Sequence, residues 1–364
     1  MTEPYFIPQN NLPEKYIAIH TTDRNLFRRC RRKWNYQSAL KQNLTLKGKV
    51  NPNLWFGTGF HFALEDYHGY NKFGNPKDAF KAYVNCFDKN TLDLDCQALI
   101  EIGYGMLDHY TNEWLPRRNE YKTFIVDNIP QTEVEISIYI PDLSEKFGID
   151  VLYQLKLDRV ITDSDNRLWF QDYKTAVKFD TKKLVTDPQI SGYSWAFPYK
   201  YNVAAEGIVY TQFKKAVAEE PKILKNGDIS SAKSQNTTYE KYLKALKSKY
   251  GPITFPPKYQ EVLDTLLESE TPEGNNFIRY DKVTRNEFNR IAEYKKILAE
   301  GEEMLSSITK LYPNPTRDCS WDCDFLPVCL AQDDGSDFEF ILNNEFEEKK
   351  EEDLSWQKKI KYPQ

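Results

Sequence analysis

Residues 151–175, VLYQLKLDRVITDSDNRLWFQDYKT, decide the fold class of this 364-residue chain. Two runs rich in β-branched, aromatic and other apolar residues flank the polar stretch 162–166 (TDSDN), whose residue types favour turns. The pattern predicts two antiparallel strands joined by a hairpin turn. Just upstream, residues 132–140 (TEVEISIYI) alternate between polar and apolar side chains, which predicts a third antiparallel strand.

Helical patterns flank this three-stranded meander. Apolar spacing, capping residues and prolines predict helices over residues 22–40, 59–70, 76–87, 96–114 and 188–201. A further strand is predicted over 206–214, and the chain from there to residue 311 is predicted to be mostly helical. The order of helices, three strands, helix and strand places the chain in the α/β class.

Composition and charge restrict the class of protein. Hydrophobic residues make up 40% of the chain and charged residues 28%, as in a globular protein with a substantial core. No window of eighteen apolar residues occurs, and the start MTEPYFIPQNN lacks the features of a signal peptide. We therefore expect a cytoplasmic protein with no membrane partner. Residues 24–33 hold six basic residues and no acid. The net charge of −5 does not reveal this basic stretch, because residues 333–353 hold ten acids and only two lysines.

The hairpin carries two carboxylates and a lysine. Asp172 and Lys174 are two apart on the second strand and share a face, because side chains alternate along a strand. If the turn centres on Ser164, Asp158 lies opposite Phe170 on that face, whereas a one-residue slip would move it to the other. Two such carboxylates suit Mg or Mn, and the lysine can stabilise charge developing on a phosphate. The alternative is a surface ion pair, which the apolar flanks of both aspartates argue against.

Two pairs of polar residues follow helical spacing. His61 and Glu65 are four apart on one helix face, and an imidazole added to two carboxylates suits Mn or Mg. The alternative for His61 is a hydrogen-bonded core histidine. Gln189 and Tyr193 are also four apart, and their amide and phenol could contact a phosphate or a base.

The six cysteines are unevenly placed along the chain. Cys30 lies within the basic stretch, and Cys319, Cys323 and Cys329 cluster near the C-terminal end. In a reducing compartment these thiols stay free unless they hold a metal. A four-thiolate site for zinc, an iron-sulfur cluster and a set of unrelated buried thiols are all consistent with this pattern.

Taken in order, these features resemble the RecB-like branch of the PD-(D/E)XK nucleases over residues from about 55 to 215. The matching motifs are Gly57-x3-His61-x3-Glu65, Leu157-Asp158-Arg159-Val160, Asp172-Tyr173-Lys174-Thr175 and Gln189-x3-Tyr193. The resemblance implies a restriction-endonuclease-like core, in which helices flank a mixed sheet. It further implies roles for six residues: Mg or Mn ligands His61, Asp158 and Asp172, catalytic Lys174, and DNA-positioning Gln189 and Tyr193. One departure is Leu155, where the family often carries glycine.

The cysteines extend the resemblance to the iron-sulfur nucleases of this branch, AddB-type helicase-nuclease subunits and CRISPR-associated exonucleases. There a [4Fe-4S] cluster joins one upstream cysteine to three near the C-terminus, which here implies a clasp between the N-terminal helix and the C-terminal cluster. The spacing Cys319-x3-Cys323-x5-Cys329 is one residue longer in its first gap than the expected C-x2-C, and zinc remains the alternative. The clasp would fix four arginines beside the active-site entrance, where they could follow a DNA backbone: Arg28, Arg29, Arg31 and Arg32.

The resemblance implies a metal-dependent DNA exonuclease acting in recombination, repair or phage DNA processing. No G-x-x-x-x-G-K-[ST] string occurs, so a helicase would be a separate partner, as would a recombinase. The alternative is a catalytically silent DNA-binding or assembly protein with a structural four-cysteine site, although such a protein has no chemical need for the two aspartates and the lysine. The expected regions are an N-terminal segment 1–56, a nuclease core 57–215, a helical accessory region 216–311, a cysteine cluster 312–332 and an acidic tail 333–364.

Overall fold

The computed structural model describes residues 3–48, 50–88, 92–118, 121–251, 255–349 and 355–363. Its strands are β1 Tyr5–Ile7, β2 Tyr16–His20, β3 Leu44–Leu46, β4 Lys122–Thr123, β5 Ile125–Val126, β6 Ile129–Pro130, β7 Thr132–Tyr139, β8 Asp150–Thr162, β9 Leu168–Ala176, β10 Ile208–Lys214, β11 Ile278–Val283 and β12 Phe346–Glu348. Its helices are α1 Thr21–Arg29, α2 Arg31–Gln37, α3 Pro52–His68, α4 Pro76–Val84, α5 Leu94–His109, α6 Leu115–Arg118, α7 Pro141–Phe147, α8 Pro188–Tyr201, α9 Tyr239–Tyr250, α10 Pro257–Glu268, α11 Glu287–Leu305, α12 Leu326–Asp334, α13 Phe338–Glu345 and α14 Ser355–Lys359. Across those ranges we find no helix with the length and apolar character that a membrane span requires.

A mixed eight-stranded sheet forms the centre of the fold. Its main order is β1-β7-β8-β9-β10-β11, with β2 and β4 also beside the long strand β8. The predicted meander is present, since β7, β8 and β9 pair antiparallel. Strand β10 then pairs parallel with β9, and helix α8 crosses between the two. Because parallel neighbours need such a crossover, the α/β class predicted from the sequence is confirmed.

Helices cover both faces of this sheet. On one face, Phe170 of β9 packs in a core with Tyr193 of α8 and Ile297 of α11. On the other face, Phe213 of β10 packs in a second core with Phe60 of α3. The central strands are therefore buried on both sides, which explains their nearly continuous apolar sequences.

The register of the hairpin differs from the prediction by two residues. Phe170 lies opposite Val160, where the sequence analysis placed it opposite Asp158. The loop centres one residue later than predicted. The reason is local: the Asp163 side chain accepts hydrogen bonds from the backbone amides of Asp165 and Arg167, and Asn166 adopts a φ of 59°. A two-residue shift preserves the face of each side chain.

The structure differs from the prediction in the extent of two helices and in one additional strand. The helix expected over 22–40 is divided by Cys30, whose extended backbone ends α1 and caps α2. Helix α3 starts seven residues before the predicted residue 59, with Asn51 as its N-cap and a proline at its first position. The region 216–311 contains β11 in addition to helices, and β11 pairs with β10 in the central sheet.

The acidic tail is partly built into the fold. Strand β12 pairs with β3, with Phe346 opposite Leu46, and Phe346 packs against Phe325. Residues 350–354, in the middle of this tail, lie outside the described residues.

Glu113 lies in the helical segment Tyr110–Trp114 that follows α5, and it pairs with Lys241 of α9. This contact leads to a prediction on stability in acid. Its carboxylate lies 2.8 Å from Nζ of Lys241 and 3.1 Å from Nδ1 of His109. Burial raises the pKa of Glu113, but these two partners outweigh burial and hold the pKa at about 2. The ordinary value is 4.5, so this stabilisation is complete above pH 4.5 and is lost as the pH falls toward 2.

We expect Glu113→Gln to lower the free energy of unfolding at pH 7 by about 1–2 kcal/mol, a value reduced for partial exposure. The difference in the free energy of unfolding between the variant and the parent should become smaller as the pH falls below 4.5. Urea denaturation between pH 7 and pH 3 measures this difference. The control is Glu240→Gln, which removes an exposed ion pair with Arg117 and should change little. A Glu113→Gln effect that is the same at all pH values would contradict the prediction.

Candidate active site and cysteine pocket

Strands β8 and β9 separate at the two predicted aspartates. Their ladder runs from Thr162 opposite Leu168 to Arg159 opposite Gln171, after which β9 continues beside β10. The amide of Tyr173 instead donates to Oδ2 of Asp158 at 2.6 Å. Asp158 is thus fixed at the point where the strands part.

His61 reaches this point from α3. Its Nδ1 lies 3.5 Å from Oδ1 of Asp158, and its ring contacts Tyr173 edge to face. Burial opposes the charged imidazolium, but the Asp158 carboxylate outweighs burial and raises the pKa of His61. The predicted imidazole and the first predicted carboxylate are therefore neighbours.

Asp172 is buried beside Lys174, whose Nζ lies 3.0 Å from Oδ1 and 2.8 Å from Oδ2. The pKa of Asp172 is raised to about 6, mainly by burial. The Asp158 carboxylate raises this pKa further, and the Lys174 ammonium lowers it. The same two carboxylates overcome burial and raise the pKa of Lys174, so its ammonium stays charged. Oδ2 of Asp172 is buried and accepts no hydrogen bond of good geometry from the described residues.

Helix α8 brings Gln189 and Tyr193 to the same place. Gln189 Nε2 donates to the Tyr193 hydroxyl at 2.5 Å and lies 3.5 Å from Oδ1 of Asp172. The start of the helix is fixed by the Asp187 side chain, which accepts the amide of Gln189 at 2.7 Å. All six residues predicted for the site thus meet in one region.

Two residues near the site were not predicted from the sequence. The first is Glu133 of β7. One carboxylate oxygen of Glu133, one ring nitrogen of His61 and one carboxylate oxygen of Asp158 all lie within 4.8 Å of one another. Tyr210 of β10 pairs with Asp172 in the parallel ladder, and burial together with Asp172 raises its pKa to about 12. The alternation in 132–140 marked Glu133 only as a polar strand residue, because its register against β8 is not a local property.

The donor set fits a divalent cation. His61, Glu133 and Asp158 supply one imidazole and two carboxylates within 4.8 Å of one another. The Asp172 carboxylate lies outside this group, with its buried Oδ2 2.8 Å from Nζ of Lys174. Carboxylate oxygens with one imidazole suit Mg or Mn better than a soft metal.

A buried polar network stiffens the strands behind the site. Arg159 donates to Thr123 at 2.9 Å and to the side-chain oxygen of Gln171 at 3.1 Å. The Tyr173 hydroxyl donates to that same oxygen, and Gln171 donates to Thr211 of β10. These bonds join β8, β9 and β10, so they fix the strands that carry both aspartates.

One largely apolar pocket of about 130 Å³ holds the four cysteines predicted to form the clasp: Cys30, Cys319, Cys323 and Cys329. The Lys33 and Asn314 amides lie 3.5 and 3.4 Å from the Cys30 sulfur. Arg32 donates to the Cys329 sulfur at 3.1 Å. N–H groups directed at sulfur stabilise thiolates, which are the form that binds metal.

The four arginines of the basic stretch already have carboxylate partners within the chain. The pairs are Arg28–Glu300, Arg29–Asp322, Arg31–Glu303 and Arg32–Asp333. These pairs join α1 and α2 to α11, to the cysteine cluster and to the end of α12, which lie 272 to 301 residues further along the chain. Contact with a DNA backbone remains a prediction for these arginines.

The model of the PD-(D/E)XK nuclease superfamily matches residues 21–330. The chain belongs to this superfamily. The matched part contains every side chain of the site and all four clasp cysteines. Membership in the PD-(D/E)XK superfamily indicates a metal-dependent nuclease and implies a DNA substrate. Comparison with curated proteins gives no match.

Proposed function

We propose that this PD-(D/E)XK protein is a Mg- or Mn-dependent exonuclease that degrades DNA from its ends. The observation that carries the proposal is the meeting of His61, Asp158, Asp172 and Lys174 where β8 and β9 separate. A protein that only bound DNA would have no use for a buried aspartate and lysine pair beside a second carboxylate, because burying charges costs free energy.

Each side chain has a chemical task in this proposal. His61, Asp158 and Asp172 would hold a divalent cation, which neutralises charge on the phosphate and acidifies a nearby water molecule. Lys174 stabilises negative charge that develops on the phosphate oxygens. Gln189 and Tyr193 present an amide and a phenol, which can donate hydrogen bonds to DNA.

We further propose that the cysteine pocket holds a [4Fe-4S] cluster, as in the RecB-like iron-sulfur branch. Among the described residues, no three of these sulfur atoms lie within 4.8 Å of one another. A tetrahedral zinc site with Zn–S bonds of about 2.3 Å needs thiolates roughly 3.8 Å apart. The wider spacing and the apolar lining by Phe325 and Leu326 favour the larger cluster.

The biological setting follows from this activity. An exonuclease of this kind would act on DNA ends in recombination, repair or phage DNA processing, in the cytoplasm of a bacterial or phage-infected cell. Because the chain has no P-loop string, unwinding would need a helicase on another chain, and strand exchange would need a recombinase.

The experiment compares linear and circular DNA. The purified protein is incubated with end-labelled linear single strands, linear duplex and closed circular single strands, with Mn²⁺, with Mg²⁺ or with a chelator. We expect degradation of linear DNA, intact circles and no reaction with the chelator, because an exonuclease needs an end and the site needs a cation.

The outcomes separate the alternatives. Equal cutting of circles would leave a nuclease but refute the exonuclease proposal. DNA binding with no cleavage under any metal would support the catalytically silent DNA-binding protein.

A further inference from the structure

Glu133 has an unusual backbone conformation for a residue inside a strand. Its φ is +49°, whereas its neighbours Thr132 and Val134 pair with Arg159 and Leu157 in the regular β7–β8 ladder. The distortion is therefore confined to the residue that faces Asp158. A side chain other than glycine is strained in this region, and such strain persists only where the surrounding structure imposes it.

The distortion coincides with an accumulation of negative charge. The Glu133 carboxylate lies within 4.8 Å of ligand atoms of His61 and Asp158. The Glu133 and Asp158 side chains are only 18% and 13% exposed. Two carboxylates this close in a largely buried place repel each other, and a cation between them relieves that repulsion.

Lys156 supplies only part of the needed charge. Its Nζ lies 2.5 Å from Oε2 of Glu133, but its side chain is half exposed to solvent. An ammonium in that position can pair with Glu133 from the solvent side. It does not explain why Glu133 is turned toward His61 and Asp158 at the cost of backbone strain.

We propose that Glu133 is a fourth protein ligand of the divalent cation, in addition to His61, Asp158 and Asp172. The inference rests on the proposed function, because it adds a ligand to the same metal centre. It assigns the strained strand residue a chemical purpose: the distortion of β7 directs a carboxylate toward Asp158.

The test measures binding of Mn²⁺ alone to the full chain, by the electron paramagnetic resonance signal of free Mn²⁺ and by titration calorimetry. We expect Glu133→Gln, which keeps the shape but loses the charge, to weaken Mn²⁺ binding by about tenfold or more. The matched control is Lys156→Gln, which removes the ion-pair partner and should bind Mn²⁺ at least as tightly as the parent. Mn²⁺ should also raise the melting temperature of the parent more than that of Glu133→Gln.

Parent-like Mn²⁺ affinity in Glu133→Gln would overturn the inference. Equal losses in Glu133→Gln and Lys156→Gln would also overturn it, because they would assign Glu133 to the ion pair. If Glu133→Gln does not fold, Glu133→Asp is the second variant. It keeps the charge but shortens the reach, and the inference predicts weaker Mn²⁺ binding, whereas an ion-pair role predicts no change.

Failure of the inference and failure of the proposed function give different results. Loss of Mn²⁺ affinity in Glu133→Gln would support the ligand role even if the parent cleaved no DNA. Cleavage by the parent, together with parent-like Mn²⁺ binding by Glu133→Gln, would refute the ligand role and leave the nuclease proposal intact.

Discussion

Replacing Lys174 by alanine is expected to slow DNA cleavage by about 10²- to 10³-fold, the usual cost of removing one group that stabilises transition-state charge. The ammonium lies 2.8 Å from Asp172 and stays charged because two carboxylates raise its pKa. Cleavage should be measured in single turnovers at saturating Mn²⁺, so that the rate of the chemical step is compared and not the affinity for the cation.

Two control variants separate charge from structure. Lys146→Ala removes an exposed lysine that pairs with Glu302, and it should cleave like the parent. Lys174→Arg keeps a positive charge beside Asp172, so it should fold even if its bulkier head group restores little activity. Cleavage by Lys174→Ala within a few-fold of the parent rate would contradict the catalytic role.

Replacing Cys30 by serine is expected to remove the bound metal and to lower the free energy of unfolding by on the order of 4–5 kcal/mol. Cys30 lines the pocket with three cysteines that are about 290 to 300 residues further along the chain. Loss of this ligand would remove the proposed metal link between the α1–α2 junction and the C-terminal segment, leaving the ion pairs of the neighbouring arginines. Iron and zinc content, absorbance near about 400 nm and thermal unfolding measure the change.

The matched control is Cys86→Ser. Cys86 lies outside the pocket, and its thiol donates to the carbonyl of Ala82, a bond that serine can keep. This variant should retain metal and stability. A colourless parent protein with stoichiometric zinc would support the zinc alternative. A Cys30→Ser variant as stable as the parent would support the alternative that the four cysteines are unrelated buried thiols.

Local pattern was sufficient to predict most of the elements that build the site. Helix α8 was predicted over 188–201 and spans Pro188–Tyr201, because its N-cap aspartate and first proline are adjacent in sequence. The strands of the meander agree with the prediction within a residue or so at each end. Because side chains alternate along a strand with a period of two, an error of two residues in the register left the predicted face of each aspartate unchanged.

Long-range contacts decided what the sequence pattern left open. The periodicity of residues 22–40 predicted one continuous helix, but Cys30 is extended and lines a pocket with Cys319, Cys323 and Cys329. Each of the four arginines around Cys30 has a carboxylate partner far along the chain. No local signal identifies such partners.

The sequence alone determined that two acids and a lysine sit on neighbouring strands, since strand periodicity and turn residues are properties of adjacent positions. The tertiary structure decided that His61 meets Asp158 and that β7 turns Glu133 toward them. Those arrangements depend on how helices and strands distant in sequence pack and pair, and the free energy of that packing is summed over the whole core and not encoded in any one segment.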